Sequence, residues 1–123
     1  MFGLSEAYRY FVCTLPVKGN ASVDTLFHTI ADNTPLSPIS GDAFVFFSTD
    51  LRKIIILRWD GESFIIFNKC LVNRRLRVPG KYAEVACFEL PYDDLFTLLR
   101  KNHLVAPRGP QKRNMRTRKL LMG

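Results

Sequence analysis

A chain of 123 residues carrying a formal charge of +7, 47% of it apolar, has the length of one domain with its own core. At that size folding needs neither a metal nor a disulfide staple. Three widely spaced cysteines, Cys13, Cys70 and Cys87, exclude a paired disulfide framework and a zinc motif, and fit a reducing compartment.

The opening Met1-Phe2-Gly3-Leu4, with Glu6 close behind, lacks the basic and apolar regions of a signal peptide. No apolar run approaches the ~20 residues of a bilayer span. Residues 8–13, Tyr-Arg-Tyr-Phe-Val-Cys, are aromatic and β-branched and predict a strand, and Leu15–Asn20 a loop. Ser22 reads as an N-cap, with Asp24 in the first turn where the helix dipole favours an anion. Val23, Leu26, Phe27, Ile30 and Ala31 then fall on one helix face, and the helix ends near Asp32-Asn33. Thr34–Asp42 is a loop rich in Pro, Gly and Ser.

The middle of the chain predicts an antiparallel meander. Its runs are Ala43–Ser48, Lys53–Trp59, Ser63–Lys69 and Arg74–Val78, with Asp60-Gly61 as a tight turn and Pro79-Gly80 as a stop. Ile54–Leu57 is apolar on both faces, which predicts a central strand covered on both sides. Arg75 and Arg77 alternate with Leu76 and Val78, which predicts a half-exposed strand. Glu84–Glu89 is the last expected strand. Pro91 opens a second helix, with Asp93 and Asp94 in its first turn and Arg100 and Lys101 in its last. Tyr92, Leu95, Phe96 and Leu99 are its expected apolar face. Periodicity stops after His103. The expected fold is α+β: one domain, residues 1–104, with a mainly antiparallel sheet of five or six strands and two amphipathic helices. Residues 105–123 form a basic tail expected to be flexible.

Charge is unevenly distributed. Residues 1–50 carry two basic and five acidic groups, and 51–82 eight basic and two acidic. Residues 83–94 carry four acids and no base, and 95–123 eight bases and no acid. Clustered basic charge favours a polyanion, which releases condensed counterions on binding. The candidate nucleic-acid-binding residues are Arg52, Lys53, Arg58, Lys69, Arg74, Arg75 and Arg77 in the strands, with Lys81 beside them. Arg108, Lys112, Arg113, Arg116, Arg118 and Lys119 are candidates in the tail. If Arg58, Arg75 and Arg77 shared one face, several positive charges would lie within one Debye length, ~8 Å. The competing reading is a solvated sheet face and a solubilising extension.

Nothing in the sequence asks for catalysis, a metal or a cofactor. The acids fall in turns (Asp42, Asp50, Asp60) and at helix starts (Asp24, Asp93, Asp94), where turn and cap roles explain them. His28 and His103 belong to no metal-spaced motif, and no phosphate loop is present. Trp59 reads as a core residue ending a strand before its hairpin turn; only if exposed would it serve as a stacking platform for an unpaired base.

The order and spacing of several segments match a known pattern: Gly41-Asp42-Ala43-Phe44-Val45-Phe46-Phe47, Ile56-Leu57-Arg58-Trp59-Asp60-Gly61 and Phe64-Ile65-Ile66-Phe67-Asn68-Lys69-Cys70-Leu71, with Pro79 after the next run. They resemble TnpB, the small accessory protein encoded by the sixty-six family of bacterial insertion sequences. That family shows G-x-x-F-V-F, then K-I-L-x-W-D-x-x-G-F, then Y-K-R-L-E-x-G-x-F and a proline. Ile55, Ser63, Cys70, Val72 and Arg74 depart from it, and so does Pro16-Val17-Lys18-Gly19 in place of the D-M-R-K core. The resemblance covers about residues 1–100. It implies a non-enzymatic protein acting in transposition beside the element's DDE-type transposase, in the bacterial cytoplasm at the nucleoid, with no membrane. Together with the charge pattern it gives the expected function: non-specific binding of nucleic acid, DNA above all. The alternative is an adaptor that binds the transposase and never touches DNA, whose signature would be an exposed apolar patch or an open sheet edge.

Overall fold

The computed structural model describes residues 4–78 and 86–104. Seven elements follow one another: β1 (Tyr10–Val17), α1 (Val23–Asn33), β2 (Ala43–Ser48), β3 (Lys53–Trp59), β4 (Phe64–Cys70), β5 (Cys87–Leu90) and α2 (Tyr92–Lys101). The five strands form one sheet in the order β4-β3-β2-β1-β5. All neighbours pair antiparallel except β1 and β2, which are parallel and joined through α1. The α+β class with a five-stranded, mostly antiparallel sheet is therefore as expected.

Alternation along the strands builds two cores, one on each face. Phe11, Cys13, Phe44, Phe46, Ile55, Leu57 and Cys87 pack with Leu26 and Ile30 of α1. Tyr10, Val12, Val45, Phe47, Ile54, Ile56 and Phe88 pack with Leu95, Leu98 and Leu99 of α2. Ile54–Leu57 is buried on both faces, as its continuous apolar run predicted.

The ends of the elements have local causes. Ser22 caps α1 by accepting from the Thr25 N–H at 3.2 Å. Thr34 closes it, with its N–H and hydroxyl both donating to the Ile30 carbonyl. The Asp60-Gly61 turn joins β3 to β4: Asp60 Oδ1 accepts from the Glu62 and Ser63 N–H groups at 2.8 Å, and Gly61 takes φ +104. Between β2 and β3, buried Ser48 accepts from the Lys53 and Arg52 N–H groups and donates to Asp50 at 2.6 Å. That lattice holds Leu51 at φ 59, a conformation a branched side chain rarely takes. Asn102, at φ 56, ends α2 with its N–H on the Leu98 carbonyl at 2.9 Å.

Several expectations need correction. β1 runs on through Leu15, Pro16 and Val17, which were read as loop. Pro16 is tolerated because the β1–β2 register slips between Cys13 and Val17 and β1 has already parted from β5, so no ladder donor is missed. Arg74–Val78 is not a strand. Past Asn73, at φ 64, this segment crosses the start of β3, and its one ladder contact is the Arg77–His103 bridge. The buried Leu76 plugs the core there, with its N–H on the Leu51 carbonyl, while Arg74, Arg75 and Arg77 stay exposed around it. The last strand, expected at Glu84–Glu89, is Cys87–Leu90 and pairs with β1, while residues 84 and 85 lie outside the described residues. Pro91 is the cap of α2 and not its first helical residue. On α1, Ala31 is exposed. On α2, Leu98 is buried and Phe96 is 40% exposed.

The α2 face yields a direct check by urea unfolding. Leu98→Ala removes a fully buried side chain and should lower stability by about 2–5 kcal/mol, whereas Phe96→Ala should leave the midpoint nearly unchanged. The cysteines give a second. Cys13 and Cys87 face each other across β1 and β5 with Sγ atoms 4.0 Å apart, and only Cys70 is exposed. The Cys87 contact and burial push the Cys13 thiol well above its ordinary value. A small thiol reagent should titrate one cysteine promptly in the native protein and all three after unfolding.

Candidate nucleic-acid interface

With both faces of the sheet apolar and covered, charged side chains are left to the strand ends, the edges and the outer surfaces of the helices. The register tells which end each one occupies. At one end β1 and β2 finish, β3 begins and β4 finishes, since Val17 pairs with Ser48 and Lys53 with Cys70. The helix α2 also ends there, because Arg77 bridges to His103 and the Lys69 ammonium donates to the Leu99 carbonyl. This end gathers Lys18, Arg52, Lys53, Lys69, Arg74, Arg75, Arg77, Arg100 and Lys101.

The opposite end holds the starts of β1, β2 and α2 and the β3–β4 turn. It carries Asp42, Asp60, Glu62, Asp93 and Asp94. The described residues are therefore unevenly charged along the strand axis, mainly basic at one end, with Asp24 and Asp50 among the bases, and mainly acidic at the other, with Arg9 and Arg58 among the acids.

The candidate side chains differ in what already occupies them. Arg52, Arg74, Arg75 and Arg77 are exposed at the basic end. Lys53 is half-buried and donates through Nζ to the Gly19 carbonyl at 3.0 Å. Lys69 neutralises the carbonyl end of α2, where a cation is favoured by the helix dipole. Arg58 stands apart from the rest. It is five residues along β3 from Lys53, about 17 Å at ~3.4 Å per residue, roughly two Debye lengths. Its Nε donates to the Gly41 carbonyl at 3.0 Å and its guanidinium lies 3.7 Å from the centre of the Tyr8 ring. Arg58 therefore fastens the loop before β2, at the end of the sheet opposite Arg75 and Arg77, so the condition of a shared face is not met. Arg9, close by, is paired in a fork with Asp42 at 2.9 and 3.0 Å.

Trp59 is half-buried on the α1 face, its ring 4.9 Å from that of Phe64. It lies outside both buried cores, against Phe64 at the end of β3, rather than in the core as expected. Lys81 and the tail residues Arg108, Lys112, Arg113, Arg116, Arg118 and Lys119 lie outside the described residues. Leu104, the last residue described, lies at the basic end, its N–H donating to the Arg77 carbonyl.

Lys18, Arg100 and Lys101 were missed as members of this group. Arg100 and Lys101 carry a sequence signal, basic residues in the last turn of a helix, but only the direction of α2 places them with Arg77. Among the described residues, no three His, Cys, Asp or Glu side chains are grouped to hold a metal. No helix among them is long and apolar enough to cross a membrane.

A family model described as "IS66 Orf2 like protein" matches residues 8–108, from just before β1 to past α2, the whole of the polarised sheet and both helices. The chain belongs to this family. It is thus an accessory protein of an insertion sequence of the IS66 type, in agreement with the resemblance in its strand motifs. No curated protein and no solved structure was found to match the sequence.

In this IS66 Orf2-like protein the acids at the two β-turns carry a pH signature. Asp50 is held below the ordinary aspartate range by the Ser48 hydroxyl and then the Arg52 N–H. Asp60 is held low by the N–H groups of Glu62 and Ser63. A lowered folded pKa stabilises above the unfolded value, roughly 4, and that contribution fades as pH falls through the folded value. Urea midpoints should thus drop between pH 5 and pH 2.5, and Asp50→Asn with Asp60→Asn should flatten the drop.

Proposed function

We propose that this accessory protein holds the phosphate backbone of nucleic acid, DNA first, against its basic end, and performs no chemistry of its own. The observation that supports this reading is the polarisation of the sheet. Exposed Arg52, Arg74, Arg75 and Arg77 gather with Arg100 and Lys101, while among the described residues most of the acids, Asp24 and Asp50 excepted, lie towards the other end of the strands. Asp50, the acid nearest the cluster, has its carboxylate engaged by Ser48 and the Arg52 backbone. Mutual repulsion among the arginines is a standing cost that an anionic polymer relieves. The six cations of the tail, at Arg108, Lys112, Arg113, Arg116, Arg118 and Lys119, would add to this attraction.

Contacts of this kind go to phosphate and carry little sequence information. Their role in transposition is to hold DNA in an assembly with the element's DDE-type transposase. A second reading, an adaptor that binds the transposase without touching DNA, draws on the outer edge of β4, with which no strand among the described residues pairs.

Filter binding of single- and double-stranded DNA and RNA across a salt series tests the first reading. Affinity should fall linearly on a log–log plot. Replacing Arg74, Arg75 and Arg77 together with Gln should lower the slope by about 2–3, while Arg58→Gln leaves it unchanged. No binding to any of these polymers at low salt, with co-purification of the transposase in the presence of nuclease, would overturn it in favour of the adaptor.

A further inference from the structure

The strand β4 ends the sheet on one side, and no strand among the described residues pairs with its outer edge. The ladder fixes which groups it presents. The Asp60 N–H donates to the Ser63 carbonyl and the Leu71 N–H to the Arg52 carbonyl, so odd-numbered residues of β4 bond to β3. The N–H and C=O groups of Phe64, Ile66, Asn68 and Cys70 therefore point outward. Natural sheet edges are blunted by proline, a bulge, a short strand or an outward charge. β4 has seven residues, no proline and an unbroken register with β3. Its one charge, Lys69, is turned onto the Leu99 carbonyl. Ile65 and Ile66 are 44% and 38% exposed.

We infer that this edge pairs with β4 of a second copy of the chain, antiparallel about a two-fold axis at Ile66, to give one continuous ten-stranded sheet. Charge selects the occupant. An antiparallel pair lays the acidic end of each copy, with Asp60 and Glu62, beside the basic end of the other, with Arg74 and Lys69. A parallel pair would set basic end against basic end.

The side chains select the register. Only outward-pointing residues can exchange hydrogen bonds, so even positions must oppose even positions. Centring on Ile66 sets Ile66 against its own counterpart, Phe64 against Asn68, and Ile65 against Phe67 twice, which covers the exposed apolar groups. Moving the axis to Phe67 would instead set Ile65 against Lys69. This pairing is tested separately from nucleic-acid binding, because Ile66 lies midway along β4 and Ile66→Lys leaves the arginines of the basic end in place.

Sedimentation of the full chain over a concentration series tests the inference. The expected result is twice the monomer mass at high concentration, with dissociation favoured by added salt. Ile66→Lys, which places two ammonium groups together at the axis, should shift the midpoint at least tenfold towards monomer. Its circular dichroism and thermal unfolding at a monomeric concentration should match the parent, since Ile66 is solvent-exposed in the single chain.

Register is read by oxidative cross-linking in a Cys70→Ser background. Ile66→Cys should yield a covalent dimer and Phe64→Cys should not. A chain that stays monomeric throughout, a dimer indifferent to Ile66→Lys, or equal cross-linking at both positions would overturn the pairing. So would a monomer whose β4 edge is occupied only when the transposase is added.

Discussion

The structure depends on one constraint: three adjacent strands, β1, β2 and β3, are apolar on both faces, and each face must be taken out of water separately. Phe44 and Phe46 look one way from β2, Val45 and Phe47 the other, and all are almost fully buried. One helix cannot cover both. The chain meets the demand by sending α1 across one face between β1 and β2, which makes those strands parallel, and by bringing α2 across the other at the end of the fold. Burial on this scale, at roughly 25 cal/mol per Å² of apolar surface, is the term large enough to offset ordering the chain. The capped turns and the Arg9–Asp42 fork then fix where each strand begins and ends.

The same constraint organises the charge. Faces closed by helices leave no room for a charged groove across the sheet, so the basic block cannot act as a surface of alternating arginines. It is displaced along the strand axis instead. Helix direction reinforces the separation: α2 runs from the acidic end, with Asp93 and Asp94 in its first turn, to the basic end, with Arg100 and Lys101 in its last. The charges that favour the helix dipole thus sharpen the polarity of the whole domain.

Much of this could be read from the residues. Ser22, the Asp60-Gly61 dipeptide and the helix periods located α1, the β3–β4 hairpin and α2 to within a residue or two, because each depends on local chemistry. The apolar run Ile54–Leu57 announced a doubly covered strand. Illegible were the features that depend on distant partners. Local propensity carries no record that residues 87–90 pair with β1 rather than β4. Alternation at Arg74–Val78 looks like a strand, yet Leu76 is buried by the start of β3 and the end of α2 and not by a neighbouring ladder. The period put Phe96 on the apolar face of α2 and passed over Leu98, and only the packing of α2 against the sheet reverses that choice. The basic end followed the same rule: its members were visible in the sequence, but their convergence, and the exclusion of Arg58, required the register.

The position of β5 bears on how the chain reaches its fold during synthesis. Helix α1 and the hairpins of β2, β3 and β4 involve neighbours in the chain and can form while the ribosome is still adding residues. The outer ladder of β1, with Cys13 paired to Cys87, and the cover over Val12, Val45 and Ile56 come from residues 87–104, and closing loops this long is slow. Until those residues emerge, the nascent protein exposes half its core and a second open strand. A frameshift or early stop beyond β4 would therefore yield a species prone to clumping or degradation, not a smaller working version. For an insertion-sequence protein, this arrangement ties production of a stable product to an intact reading frame through α2.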